Sequence, residues 1–119
     1  MEIMDYILLA AVVVFFVWRF LPVKGITQIT TQELKNALQD KDKQFIDVRT
    51  PGEFNQRKIN GFKNIPLNEL SDKATSLNKD KPVVVICQSG MRSSNAAKLL
   101  KKKGFKEIIN VKGGMSAWR

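Results

Sequence analysis

Five apolar residues in a row, Val83-Val84-Val85-Ile86-Cys87, follow Pro82 and run directly into the glycine-containing loop Gln88-Ser89-Gly90. A strand with one wet face alternates apolar and polar residues. A strand that is apolar on both faces belongs in the interior of a sheet covered on both sides, as in the centre of a parallel sheet. Parallel neighbours need crossover connections, usually helical, so this one run already points to an α/β domain.

The rest of the chain supplies the crossovers. Thr30-Thr31-Gln32-Glu33 reads as a capping box, with Thr30 as N-cap and Glu33 reaching back; Leu34, Ala37 and Leu38 then form a helical stripe. Gln44 to Val48 is a short buried strand, and Arg49 to Phe54 turns away from it at Pro51 and Gly52. Phe62 to Leu67 is a second extended piece, and Asn68 to Leu77 is polar and helical. After the cysteine loop, Ala96, Ala97, Leu99 and Leu100 mark one face of a helix. Lys101, Lys102 and Lys103 lie in its last turn, where the dipole favours cations. Gly104 is its C′ residue, with Phe105 folding back on Leu100. Glu107 to Val111 is a further strand, and Lys112 to Arg119 turns into a short final helix.

The N-terminal segment differs. Tyr6 to Val23 carries one charge, Arg19, and as a helix would rise about 27 Å, close to a bilayer's hydrocarbon thickness. Tyr6 and Trp18 stand near its ends, as interfacial aromatics do. Glu2 and Asp5 replace the basic start of a signal peptide. The expectation is a single-pass transmembrane anchor within residues 1–24, contacting the membrane through residues 6–23, followed by one domain over 25–119. Arg19 and Lys24 on the distal side place that domain in the cytoplasm, at the cell membrane, by the positive-inside rule.

Twenty Lys and Arg against eleven Asp and Glu give a net charge of +9, which favours anionic surroundings. Nucleic acid is not the expected partner, because no aromatic residues are interleaved with the lysines to stack bases. One cysteine and no histidine exclude an internal disulfide, a Cys/His zinc site and a His-assisted nucleophile. No metal and no cofactor are expected, and any catalysis must proceed without imidazole.

Cys87 itself ends the central strand just before a helix, at the edge where α/β sheets hold their ligands. Gly90 lets the loop turn its N–H groups inward, which with the helix N-terminus makes a cradle for an anion. A thiol there has its pKa lowered, and Arg92 adds a fixed cation able to hold an oxyanion.

Three motifs in order now resemble a known family. Asp47, Arg49, Glu53 and Phe54 match D-x-R-x-x-x-E-F; Cys87, Gly90 and Arg92 match C-x-x-G-x-R; Gly113, Gly114 and Trp118 match G-G-x-x-x-W. Together they resemble the single-domain rhodaneses, the thiosulfate-type sulfurtransferases, over Ile26 to Arg119. One departure is Arg57-Lys58-Ile59, where many members read G-H-I. The resemblance implies a rhodanese-like α/β domain with a central, mostly parallel sheet flanked by helices. It implies Cys87 as nucleophile and persulfide carrier, held in the loop Gln88, Ser89, Gly90, Met91 and Arg92, with Asp47 and Arg49 in support. The implied partners are a small anionic sulfur donor and a thiol acceptor. Arg49 and Glu53 are expected to form a structural ion pair, and Trp118 to pack in the core.

Two rival readings are distinguishable. Cysteine phosphatases and arsenate reductases use C-x5-R, but here the sixth residue after Cys87 is Ser93 and the arginine comes one earlier, which makes a smaller loop. A tethered module that carries or senses a persulfide, or docks a partner without turnover, keeps the same cysteine.

Overall fold

The computed structural model describes residues 2–20 and 25–119. Five strands form one parallel sheet: β1 (Ile26–Ile29), β2 (Gln44–Asp47), β3 (Lys63–Asn64), β4 (Val83–Ile86) and β5 (Ile108–Val111), in the order β1-β5-β4-β2-β3. β4 is central and wholly buried, as its double-faced apolarity demands. Val83, Val85 and Cys87 pack on one face with Ala96, Ala97, Leu100 and Phe105. Val84 and Ile86 pack on the other with Leu34, Ile109 and Met115. Each of the Val, Leu, Ile, Phe and Met side chains among these contributes about 1.5–3 kcal/mol on removal from water.

The helices are α1 (Ile3–Phe20), α2 (Thr31–Ala37), α3 (Pro51–Gln56), α4 (Leu67–Lys73) with a 3-10 turn over Ala74–Ser76, α5 (Met91–Lys102) and α6 (Gly114–Ala117). Thr30 caps α2 in the expected capping box with Glu33. α5 ends as expected too: Phe105 N–H donates to the Leu100 carbonyl and Gly104 N–H to the Lys101 carbonyl, each at 3.1 Å, the paired bonds of a Schellman motif. Two elements differ from expectation. Arg49 to Phe54 is more than a turn, because Thr50 and Glu53 form a second capping box and Pro51 starts α3. Ile26–Ile29 is an edge strand whose short ITQI pattern gives no strong signal alone.

The N-terminal expectation is corrected. Among the described residues, no helix is long and apolar enough to cross a membrane. Asp5 and Arg19 both lie inside α1, and the charge-free part between them, Tyr6 to Trp18, rises only about 20 Å against a hydrocarbon core of about 30 Å. The transmembrane anchor over 6–23 and the cell-membrane placement deduced from it therefore fall. Residues 21–24, including Lys24 on which the orientation rested, lie outside the described residues.

What positions the site is the divergence of two neighbouring loops. β2 and β4 pair directly, with Asp47 level with Ile86. The chain leaves β2 toward β3 on one side, and leaves β4 toward β5 on the other. This is a topological switch point, and a crevice opens there at the strands' C-terminal ends. α6 closes it from below. Its Met115 N–H donates to the Cys87 carbonyl at 2.8 Å and Ser116 N–H to the Gln88 carbonyl at 2.9 Å. The approach is so close that a Cβ on Gly114 would lie 2.2 Å from the Cys87 oxygen, at φ +56°. Gly114→Ala should therefore cost more than about 2 kcal/mol in urea unfolding. Gly52→Ala, in α3 with nothing near its Cβ, should instead be stabilising by about 0.5–1 kcal/mol.

Candidate active site

Cys87 sits one residue beyond β4 and is fully buried. Gly90 N–H donates to its Sγ at 2.9 Å, and Gly90 reaches the needed conformation, φ +107°, because it has no side chain. The Cys87 thiol donates to the Ser93 hydroxyl at 3.3 Å, and that hydroxyl donates to the Gly90 carbonyl at 3.1 Å. Burial pushes the thiol pKa up. The Ser93 hydroxyl and the N–H groups of Ser93, Gly90 and Ser89 pull it down and prevail, so the net shift is downward. The first turn of α5 and the bend before it thus bring the Gly90 amide and the Ser93 hydroxyl to the sulfur.

The remaining loop residues face different ways. The Gln88 side chain bridges Ser116 Oγ (3.3 Å) and Arg49 (3.5 Å). Met91 projects outward and is 77% exposed. Ser89, Gly90 and Met91 line a cleft of about 350 Å³ with Gln28, Asn110 and Lys112. A second cleft, about 370 Å³, lies between Arg49, Glu53, Arg57 and Gln88.

The charged residues pair differently from expectation. Arg49 and Asp47 form the buried pair, at 2.7 Å and with both side chains almost fully enclosed. Arg49 also donates to the carbonyls of Glu53 (3.2 Å) and Arg57 (2.6 Å), so it ties β2, α3 and the chain after α3 together. Its contact with Glu53 is thus through backbone only, which corrects the expected Arg49–Glu53 ion pair. The Glu53 carboxylate is held instead by Arg92 in a two-pronged pair at 2.7 and 2.9 Å. The reason is reach: the capping box turns the Glu53 side chain back toward Thr50, on the side of α3 where the first turn of α5 presents Arg92.

The Arg92 guanidinium holds the Glu53 carboxyl down at about 2 against its ordinary 4.5, overcoming burial, with Thr50 adding its N–H and hydroxyl. Arg57 and Lys58, the departure from G-H-I, take structural contacts. Arg57 donates to the Met115 and Trp118 carbonyls, and Lys58 lies 5.2 Å over the Phe54 ring. Trp118 is half-buried and packs against the cluster under β4's second face, as expected. Among the described residues, no group of His, Cys, Asp and Glu side chains is arranged to hold a metal ion.

Sequence reasoning passed over Ser93. It is fully buried against the sulfur, and its signal was available: three residues after the Gly90 N-cap, a side chain in a helix's first turn can fold back onto the cap and what the cap holds.

Comparison with known proteins finds relatives of this domain. A rhodanese-like domain model matches residues 30–119. A putative sulfurtransferase of Bacillus subtilis, YtwF, is 42% identical over 94 residues, covering 78% of this chain and 90% of that protein. The thiosulfate sulfurtransferase GlpE of Shewanella oneidensis is 32% identical over 90 residues, covering 76% and 89%. The crystal structure of a rhodanese-like domain protein from Staphylococcus aureus superposes with a TM-score of 0.72 at 38% identity, covering 78% of this chain and 91% of that one.

Two outcomes follow from the ion pairs. Asp47→Ala leaves the Arg49 guanidinium buried without its carboxylate and should cost about 3–5 kcal/mol by urea unfolding. The folded-state pKa of Glu53 lies below its unfolded value, so its stabilisation is complete above pH 4.5 and is lost as pH falls toward about 2. Glu53→Gln should flatten the pH dependence of the urea midpoint across that window.

Proposed function

This chain belongs to the rhodanese-like domain family, and on that premise we propose that it is a sulfurtransferase acting through a Cys87 persulfide. The observation that carries the reading is the buried Cys87 sulfur, met by the Gly90 amide at 2.9 Å inside a loop of inward-turned N–H groups. The relatives support sulfur transfer in general; the donor, the acceptor and the role of each residue are our reading.

In the first half-reaction the Cys87 thiolate attacks the sulfane sulfur of an anionic donor such as thiosulfate. The S–S bond of the donor breaks, sulfite leaves with the electron pair, and Cys87 carries a persulfide whose outer sulfur is anionic. The loop from Gln88 to Arg92 holds that charge with backbone N–H groups. In the second half-reaction a thiolate or cyanide attacks the outer sulfur, and Cys87 departs as thiolate. Each half restores what the other consumes, which is double displacement with ping-pong kinetics. With no second cysteine in the chain, the sulfur passes to another molecule.

Arg92 enters this scheme with its guanidinium already paired to Glu53. Its contribution is to fix the first turn of α5 and to lend long-range positive potential, while the amides make the direct contacts. The same pairing weighs against a phosphatase, which needs its loop arginine available for a phosphate dianion. Asp47 and Arg49 support the loop from beneath through Gln88.

Incubation with thiosulfate should add one sulfur to the intact mass, and Cys87→Ser should abolish the gain. Cyanide or a small thiol should remove it with turnover. The loading rate should rise with pH and level off below the ordinary thiol pKa, since burial is outweighed by the Ser93 and backbone hydrogen bonds that lower it. A stable sulfur adduct without turnover would make the protein a persulfide carrier or sensor. No adduct on folded protein would remove the sulfur-transfer reading.

A further inference from the structure

Ser93 carries a hydroxyl with two possible acceptors and one hydrogen. In the arrangement observed, the Cys87 thiol donates to Ser93 Oγ (3.3 Å) and the hydroxyl donates onward to the Gly90 carbonyl (3.1 Å). That is the pattern of the neutral thiol. Once the sulfur loses its proton it cannot donate, and Ser93 Oγ faces an anion with its own hydrogen turned away. Rotation about the Ser93 Cβ–Oγ bond aims the hydrogen at Sγ instead. The group left behind is the Gly90 carbonyl, and it is not stranded: Ser94 N–H donates to the same oxygen at 3.1 Å. The rotation therefore gains a charge-assisted hydrogen bond without leaving a buried acceptor unmet, which would otherwise cost its full desolvation penalty. Ser93 and Cys87 are both fully buried, so water does not substitute for this hydroxyl.

We propose that Ser93 is a positioning residue whose hydroxyl switches from the Gly90 carbonyl to the Cys87 sulfur when the thiol ionises, and so sets how much attacking thiolate is present. The proposal rests on Cys87 being the nucleophile. The proton that leaves is the thiol's, and it goes to solvent; the Ser93 hydrogen only rotates. The effect is specific to one stage of the cycle. In the persulfide the charge sits on the outer sulfur and Sγ is no longer anionic, so the hydroxyl has less reason to face it. Ser93 thus favours formation of the attacking thiolate more than retention of the loaded sulfur.

The test is a pH titration of thiolate absorbance near 240 nm on the full chain, comparing wild type with Ser93→Ala and Ser93→Thr. This readout needs no donor and no turnover, so it stands apart from the thiosulfate experiment: sulfur loading can fail while the titration succeeds, and the reverse. Ser93→Ala should move the midpoint up by about one pH unit, lowering the thiolate fraction about tenfold below the midpoint. Ser93→Thr, which keeps the hydroxyl, should return it toward wild type. Thiosulfate loading by Ser93→Ala should be slow at low pH and approach wild type above both midpoints, a pH profile that a general loosening of the site would not produce. An unchanged midpoint in folded Ser93→Ala would overturn the proposal. Should that variant not fold, the wild type decides: the Ser94 amide proton should move downfield with the same midpoint as the absorbance, and a Ser94 signal that stays fixed while Cys87 titrates would overturn it.

Discussion

A sulfur shut away from water must find its hydrogen bonds in the protein, and the Gly90 amide against Cys87 Sγ is the contact from which the rest of this domain can be understood. For that N–H to point at the sulfur, the chain must bend immediately after a strand and enter a helix within a few residues, so Gly90 stands at the bend with φ +107°. For the bend to stay put, its carbonyls must be held from the other side, which the N–H groups of Met115 and Ser116 do. That in turn requires α6 to come within a backbone's thickness of Cys87, and only glycine fits at position 114. Two motifs far apart in sequence are thus two halves of one clamp.

The arginines belong to the frame of that clamp. Arg49 is held by Asp47 and two carbonyls, Arg92 by Glu53, and Arg57 by the carbonyls of Met115 in α6 and Trp118 just after it. Paired guanidinium groups make rigid joints between α3, α5, α6 and the sheet. In the proposed sulfur transfer, the stabilisation of negative sulfur would fall to preorganised peptide dipoles, which need no reorganisation when charge arrives. A small ring of amides also suits a single sulfur atom better than a tetrahedral oxyanion, in keeping with the short C-x-x-G-x-R spacing.

Much of this was legible in the sequence because it follows from local rules. The double-faced apolarity of Val83 to Cys87 specified a central parallel strand; Thr30 with Glu33 specified a helix start; Lys101 to Phe105 specified a helix end. The cysteine loop was legible for the same reason, since a strand end, a glycine and a helix start are adjacent in the chain. What escaped depends on distant partners. Glu53 and Arg92 are thirty-nine residues apart, and nothing local tells Glu53 to choose Arg92 over the nearer Arg49. Ser93's role appears only once Gly90 has folded its carbonyl back to the same place as the sulfur. The N-terminal expectation failed on a quantity: its apolar character was read correctly, but charges at Asp5 and Arg19 inside α1 shorten the charge-free rise below a bilayer's thickness.

The central claim is that backbone amides, not a side-chain cation, hold the anionic sulfur. The most direct measurement is the amide proton shifts of Ser89, Gly90 and Ser93 by ¹⁵N-resolved NMR on the full chain as pH carries Cys87 from thiol to thiolate. The account predicts that these three amides move downfield together with the midpoint of Cys87 while the Arg92 guanidinium signals, held by Glu53, stay in place. Amides that do not respond, with Arg92 shifting instead, would contradict it.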